Sequence, residues 1–152
     1  MVNFENKPSK ELVAMLNKAL EMEHQAYVQY LSHAELLNGL DSEPIEARLR
    51  EIAADELKHQ GMLRNVIGKM LGEAPSMGFA PAHKATETRE MLKVNLDGEA
   101  EALEHYIKTW TMIKQEKANL PFCYAKLKHE IKHIAMDEEE HMAELKQLLG
   151  MK

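Results

Sequence analysis

With 152 residues, 19 Lys+Arg against 25 Asp+Glu and a formal net charge of −6, the chain has the length for one domain with a proper core. It is too acidic to hold nucleic acid through phosphate contacts. The single cysteine, Cys123, excludes an internal disulfide or a Cys-x-x-Cys site, no apolar run approaches the ~18 residues of a membrane span, and aromatics of 5% with 7 Gly and 5 Pro favour helix nearly throughout.

Taken in chain order, MVNFENKPSKEL lacks the apolar stretch of a signal peptide, so a cytoplasmic protein without a membrane partner is expected. Ser9, after Pro8, is the predicted N-cap of a first helix that ends at Asn38-Gly39. Pro44 opens a second helix running to about Leu71. The breaker-rich stretch Gly72 to Pro81 follows, and a third helix is predicted from near Thr86 to about Ala118. Asn119-Leu120-Pro121 turns the chain into a fourth helix that ends at Gly150. The prediction is therefore an all-α fold over residues 1–152, one four-helix bundle domain made of two hairpins, about 9–71 and 86–150.

Loop lengths give the topology. The first and third connections are short, which makes their flanking helices antiparallel neighbours. The second helix is ~40 Å long at ~1.5 Å per residue, while the link from Leu71 to Ala85 reaches up to ~48 Å when extended. It is long enough to cross the whole bundle, so up-down-down-up order with a long crossover between helices two and three is expected.

Spacings alternating between three and four pick out one core stripe per helix. The first reads Leu16, Leu20, Glu23, Tyr27, Tyr30, Ala34, and the third repeats it as Leu92, Leu96, Glu99, Leu103, Tyr106, Trp110 with a constant offset (99 − 23 = 76). The second, Leu49, Ile52, Glu56, His59, Leu63, recurs in the fourth as Ile131, Ile134, Glu138, His141, Leu145 (138 − 56 = 82). Only at mid-helix do acids and imidazoles interrupt the apolar run. Unpaired carboxylates there would cost several kcal/mol each. No Lys or Arg falls on any stripe, so the counter-charge is not protein, and two divalent metals among Glu23, Glu56, His59, Glu99, Glu138 and His141 supply it. Oxygen and imidazole donors suit iron, with manganese or a mixed pair as alternatives.

One Glu from each of two helices and Glu-x-x-His from each of the other two is the ligand pattern of ferritin-like carboxylate proteins. Leu16-Asn17, Glu23 and Gln29-Tyr30-Leu31-Ser32-His33-Ala34 resemble the first helix of a bacterioferritin. Asp55-Glu56-Leu57-Lys58-His59 resembles its second, and Asp137-Glu138-Glu139-Glu140-His141 its fourth. The resemblance covers nearly the whole chain. It implies that Glu23 and Glu99 are terminal ligands, that Glu56 and Glu138 bridge, and that His59 and His141 each bind one ion. It also implies that Asp55 and Asp137 accept the remaining ring N–H of the histidine on the facing helix. Tyr30 and Tyr106, each seven residues after a ligand Glu, are candidates to hydrogen-bond carboxylates, to carry an electron or simply to pack. His24, His33, His83, His105, His129 and His133 lie off the site positions and are expected to be solvated. Leu57 stands where the haem methionine of bacterioferritins would be, so haem is not expected.

The function this implies is a di-iron oxidoreductase that binds two Fe(II) and oxidises them with dioxygen or hydrogen peroxide. A rubrerythrin-like peroxide reductase ranks second, because Leu96 and Ala102 occupy the positions three residues either side of Glu99 where that family's additional Glu would fall. Iron storage or metal buffering without catalysis, and oxygenase chemistry on an organic substrate, are the other classes. The chain stops 11 residues past His141 (152 − 141), without the extra helix that helps to close bacterioferritin cages, so a homodimer or small homo-oligomer is expected. In helix three, aligning Leu96-Asp97-Gly98 with bacterioferritins favours Asn95 as the ligand, whereas the internal repeat favours Glu99. The repeat is followed here.

Overall fold

In a computed structural model, described for residues 2–152, the apolar stripes become four long helices. Helix α1 spans Lys10–Leu36. Ser9 caps it, its hydroxyl accepting the Leu12 N–H at 3.0 Å. The Glu116 carboxylate in turn accepts from Ser9 N–H and Oγ, at 2.8 and 2.5 Å, and so ties the end of the third helix to the start of the first. A turn with Gly39 at φ 97 leads into α2, Ser42–Arg64, with Pro44 in its first turn.

The second helix does not stay regular to Leu71. Residues Asn65–Met70 widen into a π-helical turn, sealed by the Leu71 N–H to the Val66 carbonyl at 3.0 Å. Widening leaves Val66, Ile67 and Leu71 all buried. Gly72, at φ 72, then turns the chain out of the helix.

The crossover climbs along α1 instead of hanging free. Asn17 bonds the Ala74 carbonyl and the Ser76 N–H, the Glu21 carbonyl accepts from Ala80 N–H at 3.0 Å, and Gln29 Oε1 accepts from His83 N–H at 2.7 Å. It delivers the chain to α3, Thr88–Gln115. A short 3₁₀ turn at 117–119 then precedes α4, Tyr124–Leu148.

Helix α1 packs against α2 and α3, and α4 packs against α3 and α2. Tyr30 meets Glu99 while Tyr106 meets Glu23, so α1 and α3 run antiparallel. Each hairpin is itself antiparallel, which makes α2 and α3 parallel: the bundle is up-down-down-up with a long crossover. Its apolar core comes in two parts, one around Leu16, Leu20, Leu63, Ile67, Ile131 and Ile134, the other around Leu49, Ile52, Leu92, Leu96 and Leu145. The polar interruptions of the four stripes lie between them. Among the described residues no strand forms, and no helix is long and apolar enough to cross a membrane.

Candidate metal centre

The six interrupting residues meet. Glu23, Glu56, His59, Glu99, Glu138 and His141 are each at most 3% exposed, a level at which an unpaired charge has lost essentially all hydration. They form two overlapping groups. Ligand atoms of Glu23, Glu56, His59 and Glu138 lie within 4.8 Å of one another, and so do those of Glu56, Glu99, Glu138 and His141. Glu56 and Glu138 belong to both.

The outward side of each ring and carboxylate is tied down. His59 Nε2 pairs with Asp137 Oδ2 at 2.8 Å and His141 Nε2 with Asp55 Oδ2 at 2.9 Å, each across to the facing helix. Both Nδ1 atoms therefore point inward. His59 Nδ1 lies 3.4 Å from Glu23, 3.6 Å from Glu56 and 3.3 Å from Glu138, and His141 Nδ1 lies 3.2 Å from Glu56 and 3.5 Å from Glu99. Tyr30 donates to Glu99 Oε1 at 2.6 Å and Tyr106 to Glu23 Oε1 at 2.5 Å, which leaves the Oε2 of each carboxylate facing the cluster.

What remains inside has no protein partner. Glu23 Oε2, Glu56 Oε1, Glu99 Oε2, both Glu138 oxygens, His59 Nδ1 and His141 Nδ1 are buried without a hydrogen bond that meets normal geometry. Seven such atoms converging are costly to bury unpaired, and a cation could satisfy them. Their chemistry, carboxylate oxygen and imidazole nitrogen without thiolate, fits iron or manganese.

Without metal the site draws in protons instead. Burial, then the charges of Glu23 and Glu99, push Glu56 well above the carboxylate range; burial, then Glu56 and Glu99, do the same to Glu138. Burial alone would lower both imidazoles, but Glu23 and Asp137 outweigh it and raise His59, while Glu56 and Glu99 raise His141 to about 12. Burial would raise Glu99 too, yet the closeness of Glu138 and of the His141 imidazole, with the Tyr30 hydrogen bond, brings it down. Burial and the neighbouring Glu99 or Glu23 charge raise both tyrosines well above their usual range.

Three histidines depart from expectation. His24, His33 and His105 are buried, because the crossover and α1 bring acceptors to them: the Gly78 carbonyl for His24, the His83 carbonyl for His33 and the Met15 carbonyl for His105. His83 and His129 are exposed and His133 partly so. Asn95 is buried as well, but outside the cluster. Its amide bonds Gln29, His33 and the Met91 carbonyl. Gln29 and Asn95 lie one position off their stripes, beside Tyr30 and Leu96, so stripe periodicity carries no signal for this network.

A family model described as Ferritin-like domain matches residues 13–151. Among solved structures, the crystal structure of ferritin like, diiron-carboxylate proteins from Bacillus anthracis str. Ames is similar with a TM-score of 0.82 and 29% identity, over 92% of this chain and 96% of that one. No curated protein matches the chain.

Proposed function

This chain belongs to the ferritin-like domain family, and from that premise we propose that it is a di-iron oxidoreductase of the ferroxidase type, binding two Fe(II) and oxidising them with dioxygen or hydrogen peroxide. One observation carries the reading: two four-residue groups share Glu56 and Glu138, as two adjacent ions with two bridging carboxylates require. Four carboxylates balance two divalent ions in charge.

Each residue has a task. With metal bound, Glu56 and Glu138 would be shared between the two ions, Glu23 and Glu99 would offer Oε2 as terminal ligands, and His59 and His141 would offer Nδ1. Asp137 and Asp55 hold the imidazoles in the tautomer that leaves Nδ1 free to ligate. Tyr106 and Tyr30 orient the terminal carboxylates. Two Fe(II), each giving up one electron, supply the pair that with two protons reduces dioxygen to hydrogen peroxide, or hydrogen peroxide to two waters. The apolar cores above and below keep bulk water away and hold the ligands still through the change of charge. A homodimer or small homo-oligomer is part of this reading: Val28, Met77 and Phe79 stand exposed around one hollow beside His24 and Arg64.

Anaerobic titration with Fe(II), followed by separate additions of dioxygen and hydrogen peroxide under near-ultraviolet absorbance, tests the activity. Two irons per chain and rapid oxidation by at least one oxidant are expected. Uptake of Fe(II) without oxidation by either would overturn the oxidoreductase and leave a metal-holding protein. Light scattering tests the oligomeric state.

A further inference from the structure

Gly98 is a mid-helix glycine without an evident packing reason. It sits in the interior of α3, where an alkyl side chain is favoured over glycine, and a methyl built on it meets no atom within 4 Å. Its place in the internal repeat is that of Met22 in α1 (98 − 76 = 22). The two face the same space across the α1/α3 seam.

That space leads inward. Beneath Met22, Gln25 and Gly98 lies a cavity of about 20 Å³ whose inner wall includes Glu23, Glu56, Glu99 and Glu138 but neither ligand histidine. On the other side the same three residues border a surface hollow of about 530 Å³, walled by Ala80, Pro81 and His83 of the crossover. The Ala80 N–H to the Glu21 carbonyl pins that wall to α1. Gln25 donates to Gln29 at 2.7 Å, and Gln29 to Asn95 at 2.9 Å, so one side of the throat is fixed by the buried amide network.

We propose that the α1/α3 seam at Gly98 is the mouth through which a small neutral oxidant, dioxygen or hydrogen peroxide, reaches the cluster; this rests on the oxidoreductase reading above. Size and charge select the passenger. The inner cavity has room for one water-sized molecule, for which roughly 10–15 Å³ is the minimum, and a cation with its water shell does not fit. The throat itself, of thioether, amide and bare backbone, offers no charge, and the charges of the hollow outside it are mixed, Lys18 and Lys108 with Glu101 and Glu104. Because the lining includes a terminal carboxylate from each helix and both bridging ones, a molecule entering here arrives between the two metal positions. A side chain at position 98 would close the opening.

The test compares Gly98→Leu with the natural chain, both loaded anaerobically with Fe(II). Stoichiometry should be kept and the thermal midpoint should not fall, while oxidation by either oxidant slows by about tenfold or more. Nitric oxide, a neutral diatomic that binds Fe(II) without turnover, should associate more slowly by a similar factor. Gly98→Ala, which adds one methyl into open space, should show the same ordering on a smaller scale and serves if the leucine variant fails to fold. Met22→Ala should let cumene hydroperoxide oxidise a centre that the natural throat protects from it. Unchanged nitric oxide association in both Gly98 variants would overturn the mouth. Slowing of only one oxidant assigns the mouth to that oxidant. If the natural protein takes up Fe(II) but neither oxidant acts on it, the function above fails, and the nitric oxide comparison still decides the mouth.

Discussion

Tyr30 of α1 donates its hydroxyl to Glu99 of α3 across 2.6 Å, and the repeat returns the bond from Tyr106 to Glu23 at 2.5 Å. Each hairpin thus orients a buried carboxylate of the other. Neither half fixes its own carboxylate alone, because the orienting hydroxyl comes from its partner.

Replacing either tyrosine by Phe removes a hydrogen bond to a charged group, worth about 1.5–3 kcal/mol. For Tyr30→Phe the ion beside Glu99 should bind roughly 10- to 100-fold more weakly, with the other ion little changed. Competition titration with Co(II) and a chelator resolves the two. Equal weakening of both would show that the tyrosines act through general packing.

Glu99→Ala should lower iron stoichiometry to one per chain, or weaken one ion beyond detection, with helicity intact. Asn95→Ala should keep two and instead cost about 1–3 kcal/mol of stability, because Gln29 and His33 lose a buried partner. Metal analysis together with urea unfolding separates the two effects. The reverse pattern would move the third helix's ligand to Asn95.

Asp55→Asn and Asp137→Asn keep shape but remove the charge that holds each imidazole. Affinity for one ion should fall by about 10- to 100-fold in each case. Asp137 also lies 3.4 Å from the partly exposed His133, so His133→Ala offers a control that should leave affinity unchanged.

Proton linkage gives the metal-free protein an unusual pH profile. Glu56, Glu138, His59 and His141 all have folded values above their unfolded ones, so their contribution is fully present below the unfolded values and is lost as pH rises through the folded ones. Glu99 acts in the opposite sense, lowered although burial would raise it, and so do His33 and His105, both lowered by burial, but these are outweighed by the four raised groups of the cluster. The metal-free thermal midpoint should therefore fall between about pH 5 and about pH 9, and fall less in a Glu56→Gln/Glu138→Gln variant. Metal competes with the same protons, so the rise in midpoint on adding Fe(II) should grow over that range. Calorimetry at several pH values, with and without metal under anaerobic conditions, checks both slopes.

Much of the bundle was legible because its information is local and periodic. A three-four spacing places Leu16, Leu20 and Glu23 on one face whatever the rest of the chain does, and the 76- and 82-position repeats align the interruptions at one level. Buried acid without a cationic partner then implies metal on charge balance alone. Which ring nitrogen faces inward was beyond that reach, since it depends on Asp55 and Asp137 lying across the bundle. The crossover was legible only as length. That it ties itself to Asn17, Glu21 and Gln29, helps to bury His24 and His33 and walls the hollow outside Gly98 rests on contacts some 50 to 60 positions apart in sequence. The same limit applies to the π turn at Asn65–Met70 and to the amide network at Asn95, where side chains one step off the stripe are buried by what packs over them. Periodicity reports the face a residue takes on its own helix, and only the packed bundle decides what that face meets.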